Sequence, residues 1–204
     1  HNGASMDYMG LPAVDIDLAV GPDQLVDALL AEIGNPAPRA SAPRPVPAAP
    51  AVAPETPLTT ALLADIVEHA LAGERPTYIR TPRGAGDYRF DDPLGYLGQD
   101  GGGGVGGGPG FAVGAALALR DTGRFPIALL GDGDYLMGVN ALWTAVASKI
   151  PLLVVVANNR AYGNDVTHQG HVAHDRGRDE NRRTIGTTIA DPPPDCVAAA
   201  RSFG

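Results

Sequence analysis

Two continuous apolar runs, residues 126–130 and 151–156, constrain this chain more than any other feature of it. Neither run alternates apolar with polar residues, so neither suits a strand with one wet face. Each has the length of a strand buried on both sides of a parallel sheet. Between them lies a helical pattern over about 138–148, carrying Leu142, Trp143 and Val146. Strand, helix and strand at this spacing form a βαβ crossover, which is right-handed and makes the two strands neighbours or near neighbours. The fold expected is α/β, a doubly wound, mostly parallel sheet with helices on both faces.

Ligands of open α/β sheets sit outside the carboxyl ends of the strands. Here both ends are polar and sharply defined: Gly131-Asp132-Gly133-Asp134 after the first run, Ala157-Asn158-Asn159 after the second. Asp132 and Asn159 stand 27 positions apart with the crossover between them. A carboxylate and an amide carbonyl are hard oxygen ligands of the kind Mg²⁺ or Ca²⁺ takes when a diphosphate supplies further oxygens. The flanking glycines let backbone approach such an anion, and a helix starting after Asp134 would offer its amino-terminal N–H groups. Gly-Asp-Gly or Asn-Asn alone would be ordinary turn chemistry. Their pairing across a βαβ unit is what makes them specific.

Three sections separate by composition. Residues 1–34 read as a strand-helix tail. Val14 to Val20 alternate apolar and acidic residues, Asp23 is a candidate N-cap, and Leu25, Val26, Leu29, Leu30 and Ile33 define one helix face stopped by Gly34. One strand and one helix cannot build a core, so this section is expected to be the carboxyl-terminal tail of a larger domain. Residues 35–57 are almost all Pro and Ala and should form an extended linker. Residues 58–204 hold the main domain. It opens with a helix capped by Thr59 or Thr60 and running to Gly73, then a short strand at 77–79. A glycine run at 101–110, interrupted only by Val105 and Pro109, precedes an Ala-rich buried helix at 111–120.

The formal charge of −8 argues against a nucleic-acid surface. Arg176, Arg178, Arg182 and Arg183 are interspersed with Asp175, Asp179 and Glu180, a mixed-charge loop. No apolar run approaches the roughly 18 residues of a membrane helix. The single Cys196 excludes an intrachain disulfide and is compatible with a cytoplasmic setting. His168, His171 and His174 share a helical spacing but lack Cys or acidic partners in zinc-site register, and a solvated or lid segment is the expected reading.

The Gly131-Asp132-Gly133 and Asn158-Asn159 pair resembles the motif of the thiamine-diphosphate enzymes, over about residues 58–204. Leu142-Trp143-Thr144-Ala145 and the glycine-rich stretch are similar to segments of the same superfamily. The resemblance implies thiamine diphosphate and Mg²⁺ as cofactors, with Asp132, Asn159 and the Ala161 carbonyl as metal ligands. It places Gly104, Val105 and Gly106 beneath the cofactor, Val105 being the aliphatic prop for its bent shape. Gly131, Gly133, Asp134, Tyr162 and Gly163 would surround the diphosphate, Asp134 through its backbone. Met137 falls near the thiazolium, or simply packs at a helix start. The run 101–104 could instead be only a hinge.

The order of sections resembles the later part of the acetolactate synthase and benzoylformate decarboxylase type. Such enzymes use a C2 carbanion of the cofactor to decarboxylate, ligate or cleave 2-oxo acids or acyloins. The glutamate that activates the cofactor belongs to a pyrimidine-binding domain, often across a dimer interface. Glu55, Glu68, Glu74 and Glu180 stand in the wrong context for it, so the resemblance implies a partner domain or subunit and a homo-oligomer, dimer or tetramer. It also implies a missing final strand, hence a fragment or a natural subunit of a split enzyme. A non-catalytic module that kept the fold is the alternative. A dinucleotide-binding domain is weaker, because no strand leads directly into the glycine run.

Overall fold

The computed structural model describes residues 15–16, 18–34, 48–81, 88, 90, 92–98 and 104–204. The chain divides into two units, residues 1–43 and 44–204. In the first, helix α1 (Pro22–Ile33) ends at Gly34, whose φ of 68° and bond to the Leu30 carbonyl supply the expected stop. The N-cap is Gly21, not Asp23. Pro22 takes the first helical position, where a missing N–H costs nothing, and Asp23 lies in the first turn facing the positive helix end. The expected strand at 14–20 needs correcting: Asp15, Ile16 and residues 18–20 are bends and irregular chain, while Val14 and Asp17 lie outside the described residues. A strand requires a neighbour to share its ladder, and none is described in this unit. Helix α1 buries no residue. Most of the Pro/Ala linker, 35–47, also lies outside the described residues.

The second unit is built on three parallel strands in the order β1 (Pro76–Ile79), β2 (Phe125–Gly131) and β3 (Leu153–Ala157). Ile79 pairs with Ala128, and Gly131 pairs with Ala157. The central strand explains the unbroken apolar run, for residues 127–130 are at most 1% exposed. Its alternate side chains serve different layers. Ile127 and Leu129 pack with Ala64, Val67 and Leu71 around α2 (Thr60–Ala70), while Ala128 and Leu130 pack with Ala112, Ala115 and Tyr135. Helices therefore cover both faces, as the apolar run required.

Thr59 caps α2, its hydroxyl accepting from the Leu62 N–H at 3.1 Å, and the helix ends at Ala70, short of Gly73. Helix α3 (Gly108–Ala118) begins three residues earlier than the apolar pattern suggested, with Pro109 in its first turn. The single helix expected at 138–148 is two, α4 (Asp132–Gly138) and α5 (Ala141–Ala147). Helix α4 starts directly from β2, so the Gly-Asp-Gly motif is itself the strand-to-helix turn. Helix α6 (Gly163–Asp175), a 3₁₀ turn (Glu180–Thr184) and α7 (Cys196–Arg201) complete the unit. Among the described residues no helix is long and apolar enough to cross a membrane.

One ion pair ties the start of β2 to the β1 side. Arg124 Nη1 donates to Thr77 Oγ1 at 3.2 Å, and Nη2 pairs with Asp92. The Arg124 guanidinium holds the Asp92 carboxyl below its ordinary value, against partial desolvation and with help from the Leu94 N–H and the charge of Arg75. A depressed folded-state pKa means stabilisation that is full above the ordinary carboxylate value of about 3.9 and lost as pH falls through the folded value. Asp92→Asn should therefore be less stable than the parent protein near neutrality. The gap should close on acidification below about pH 4, read from urea midpoints at a series of pH values. A gap independent of pH would deny the ion pair that role.

Candidate functional site

Because β2 and β3 are adjacent and Gly131 pairs with Ala157, residues just past each strand emerge at one edge of the sheet. Asp132 and Asn159 both line a cleft there of about 720 Å³, together with Gly131, Gly133, Ala161 and Tyr162. The end of β1 contributes Arg80 and Thr81, the glycine segment contributes Val105, and the start of α2 forms a further wall. Of the residues singled out in the sequence, Gly104, Gly106 and Met137 are not on this lining. Met137 is 58% exposed, and its side chain lies against Gly106. Gly101, Gly102 and Gly103 lie outside the described residues.

Asp132 is 2% exposed. Its Oδ1 accepts from the Gly133 N–H at 3.0 Å, while Oδ2 is buried and has no hydrogen-bond partner in the protein. An unsatisfied buried carboxylate oxygen is costly, and a cation in the cleft would offset that cost. Asn159 is exposed, and its Oδ1 accepts from the Ala161 N–H at 3.1 Å. The Ala161 carbonyl accepts from Gly163 N at 2.9 Å. Each of these oxygens keeps a second lone pair. One carboxylate, one amide oxygen and one backbone carbonyl form a hard donor set that suits Mg²⁺ with phosphate oxygens.

The loop carrying Asn159 is held from a direction that sequence reasoning did not reveal. Tyr162 N donates to Thr187 O at 2.8 Å, Ile189 N donates to Arg160 O at 2.8 Å, and Ala161 bridges Thr188 in antiparallel fashion. The β-prone Thr187-Thr188-Ile189 after Gly186 was the available signal, masked by the charged segment before it. Tyr162 in turn covers Gly133, where a Cβ would collide with its ring. That glycine is needed for contact, not for an unusual backbone angle.

Besides the backbone contact expected of it, Asp134 has a side-chain role. Its Oδ1 accepts from Gly106 N at 2.6 Å and Gly108 N at 3.2 Å, and Oδ2 lies 2.9 Å from Arg80 Nε. A Cβ on Gly108 would fall on this carboxylate. Arg80 had no signal in the sequence. Burial, then the charges of Asp132 and Asp195, push the Cys196 thiol above its ordinary pKa. The three histidines lie on α6 and are exposed, with His174 Nδ1 3.1 Å from Glu180 Oε1. No metal-holding group of three His, Cys, Asp or Glu occurs among the described residues.

A parallel α/β domain with a carboxylate and an amide at adjacent strand ends has the layout of the open-sheet class that binds ligands at its strand ends. Residues 83–204 match the family described as thiamine pyrophosphate enzyme, C-terminal TPP binding domain, and the chain belongs to that family. It is 31% identical over 120 residues to the acetolactate synthase large subunit of Parasynechococcus marenigrum (strain WH8102), covering 59% of this chain and 18% of that protein. The thiamine diphosphate-dependent 4-hydroxybenzoylformate decarboxylase of Rhodococcus jostii RHA1 superposes with a TM-score of 0.59 at 28% identity, over 86% of this chain and 32% of that one. The benzoylformate decarboxylase of Polynucleobacter necessarius shares the fold, with a TM-score of 0.58 at 23% identity, over 72% of this chain and 27% of the other. The chain thus spans less than a third of the length of each of these relatives.

If Tyr162 packs on Gly133 as described, Gly133→Ala should destabilise the protein by about 1–3 kcal/mol through overpacking. Adding Tyr162→Ala should recover part of the loss, because the two changes share one contact. Thermal and urea unfolding of the singles and the double measure this, and strictly additive losses would rule the contact out as the cause.

Proposed function

We propose that this chain is the diphosphate- and Mg²⁺-binding part of a thiamine-diphosphate-dependent enzyme of the acetolactate synthase and benzoylformate decarboxylase type. The observation that carries the reading is the buried, unpartnered Asp132 Oδ2 in a cleft that also presents Asn159 and Ala161. Asp132, the Asn159 amide oxygen and the Ala161 carbonyl would hold Mg²⁺, which neutralises the diphosphate. Gly131, Gly133, Tyr162 and Gly163 bring backbone close to that anion, and Asp134 fixes the glycine segment. Val105 is 46% exposed and stands on the cleft wall, where it would prop the cofactor, with Gly104 and Gly106 to either side and Met137 behind Gly106.

When bound, thiamine diphosphate supplies the carbon nucleophile and electron sink for cleaving or forming a C–C bond next to a carbonyl. This chain's residues bind and orient it. A small 2-oxo acid or acyloin is the substrate class, and a pyrimidine-binding domain or subunit supplies the activating glutamate within a homo-oligomer. The lone cysteine fits a cytoplasmic setting.

Titration calorimetry on the full-length protein tests this. Thiamine diphosphate should bind only with Mg²⁺, and Asp132→Asn should weaken binding by at least about tenfold, or 1.4 kcal/mol, without loss of the folded state by circular dichroism. Turnover of pyruvate or benzoylformate would then fix the reaction. Absence of metal-dependent heat in the unmodified protein would favour a non-catalytic module.

A further inference from the structure

The glycine segment next to the cleft has almost nothing to bury. Gly104, Gly106, Gly107 and Gly108 have no side chains, and Val105 is directed at the cleft. Beyond the contact of Gly106 with Met137, side-chain packing offers this segment little, and its polar bonds have most of its course to set. Three of them converge on two side chains. Gly106 and Gly108 donate their N–H groups to Asp134 Oδ1, and the Gly104 carbonyl accepts from Arg80 Nη2 at 2.8 Å. Arg80 Nε then pairs with Asp134 Oδ2 at 2.9 Å, closing the circuit.

Arg80 is well placed to act as the fixed point. It follows β1 directly, its N–H donates to Gly98 O at 3.1 Å, and its carbonyl accepts from Leu129 N at 3.2 Å, which seats its backbone on the sheet. It adopts φ 50°, a left-handed conformation uncommon for a residue with a side chain and tolerated only where the surroundings enforce it. Its side chain is 12% exposed, and the guanidinium is a planar fork that can hold two acceptors at once. Val105 sits between the residue anchored by Arg80 and the residue anchored by Asp134.

We propose that Arg80 is a positioning residue: through the Gly104 carbonyl and Asp134 it sets where Val105 stands in the cleft, and thereby how well the cleft fits its cofactor. The cofactor's identity rests on the function proposed above. The role of Arg80 in ordering the glycine segment does not. A side chain acting instead as a direct ligand of the bound anion would affect affinity but not the order of the segment in cofactor-free protein.

Hydrogen exchange of the full-length protein, first without cofactor, separates these. Arg80→Ala should raise exchange at the Gly106 and Gly108 amides by about tenfold, leaving β2 and β3 amides at parent rates. Arg80→Lys keeps a charge for Asp134 but cannot fork to Gly104, and should fall between. Arg80→Ala with Asp134→Asn should be less than additive, because the two residues share one circuit. Thiamine diphosphate affinity in the presence of Mg²⁺ should fall in the same order. Parent-like exchange in cofactor-free Arg80→Ala, or additive effects in the double variant, would overturn the proposal, and weakened affinity alone would assign a direct ligand. Should Arg80→Ala melt the sheet, Arg80→Lys decides: raised exchange at 106 and 108 with sheet amides unmoved supports the role, and parent-like exchange removes it. If the unmodified protein binds no thiamine diphosphate, the proposed function fails while the exchange result still stands.

Discussion

Asp134 accepts two backbone N–H groups with one carboxylate oxygen and faces a guanidinium with the other. It does so at 6% exposure, where an ionised group must be fully engaged to be tolerated. That constraint fixes the geometry of everything near the cleft. The carboxylate leaves α4 in its first turn, so the glycine segment must come to it. Gly108 must lack a side chain for the approach, and Arg80 must reach across from β1. Three pieces of chain, already sharing the apolar cluster of Ile79, Ala112 and Tyr135, are joined at the cleft by one buried carboxylate.

Asp132, two residues earlier in the same turn of helix, differs in one respect. The second oxygen of each carboxylate is buried and accepts no hydrogen bond, but only that of Asp134 faces a described cation, Arg80 Nε at 2.9 Å. Side by side, one carboxylate is ion-paired inside the fold and the other is not, and the proposed function gives that free oxygen to a cation in the cleft. An unmet buried oxygen is tolerated in a native structure where a ligand, ion or water completes it, and with the Asn159 and Ala161 oxygens on the same cleft a cation would suit it. Position separates the two: both line the cleft, but Asp134 is bonded to the start of α3 and the end of β1.

The sheet was legible because its signal is the strongest a chain can carry. Two unbroken apolar runs leave few alternatives to buried parallel strands, and the polar residues that end them mark the cleft. Glycine obscured what periodicity could not reach. The first turn of α3 is Gly108-Pro109-Gly110, which has no pattern to read, and α4 begins inside a motif that looks like a turn. Arg80 was invisible for a different reason: its partners Gly104 and Asp134 are 24 and 54 positions away, and nothing local distinguishes it from any surface arginine. The 187–189 strip was likewise hidden, since an antiparallel bridge to a loop leaves no alternation. The alternating 14–20 segment misled because alternation records two environments, not the presence of a strand to pair with.

The acids that line the cleft among the described residues are Asp132, Asp134 and Asp165. Asp134 is committed to Arg80 and the glycine amides, and Asp132 stands beside the Asn159 loop where a metal fits. Asp165 lies in the first turn of α6, exposed, where its charge complements the helix dipole. Only Asp165 stands apart from both the metal set and the glycine clamp, and it is exposed at a helix end. No glutamate lines the cleft among the described residues, which is consistent with the proposal that the activating one belongs to another domain or chain. On the proposed function, this domain would contribute a seat: two strand ends for the metal and a glycine segment held by Asp134 and Arg80.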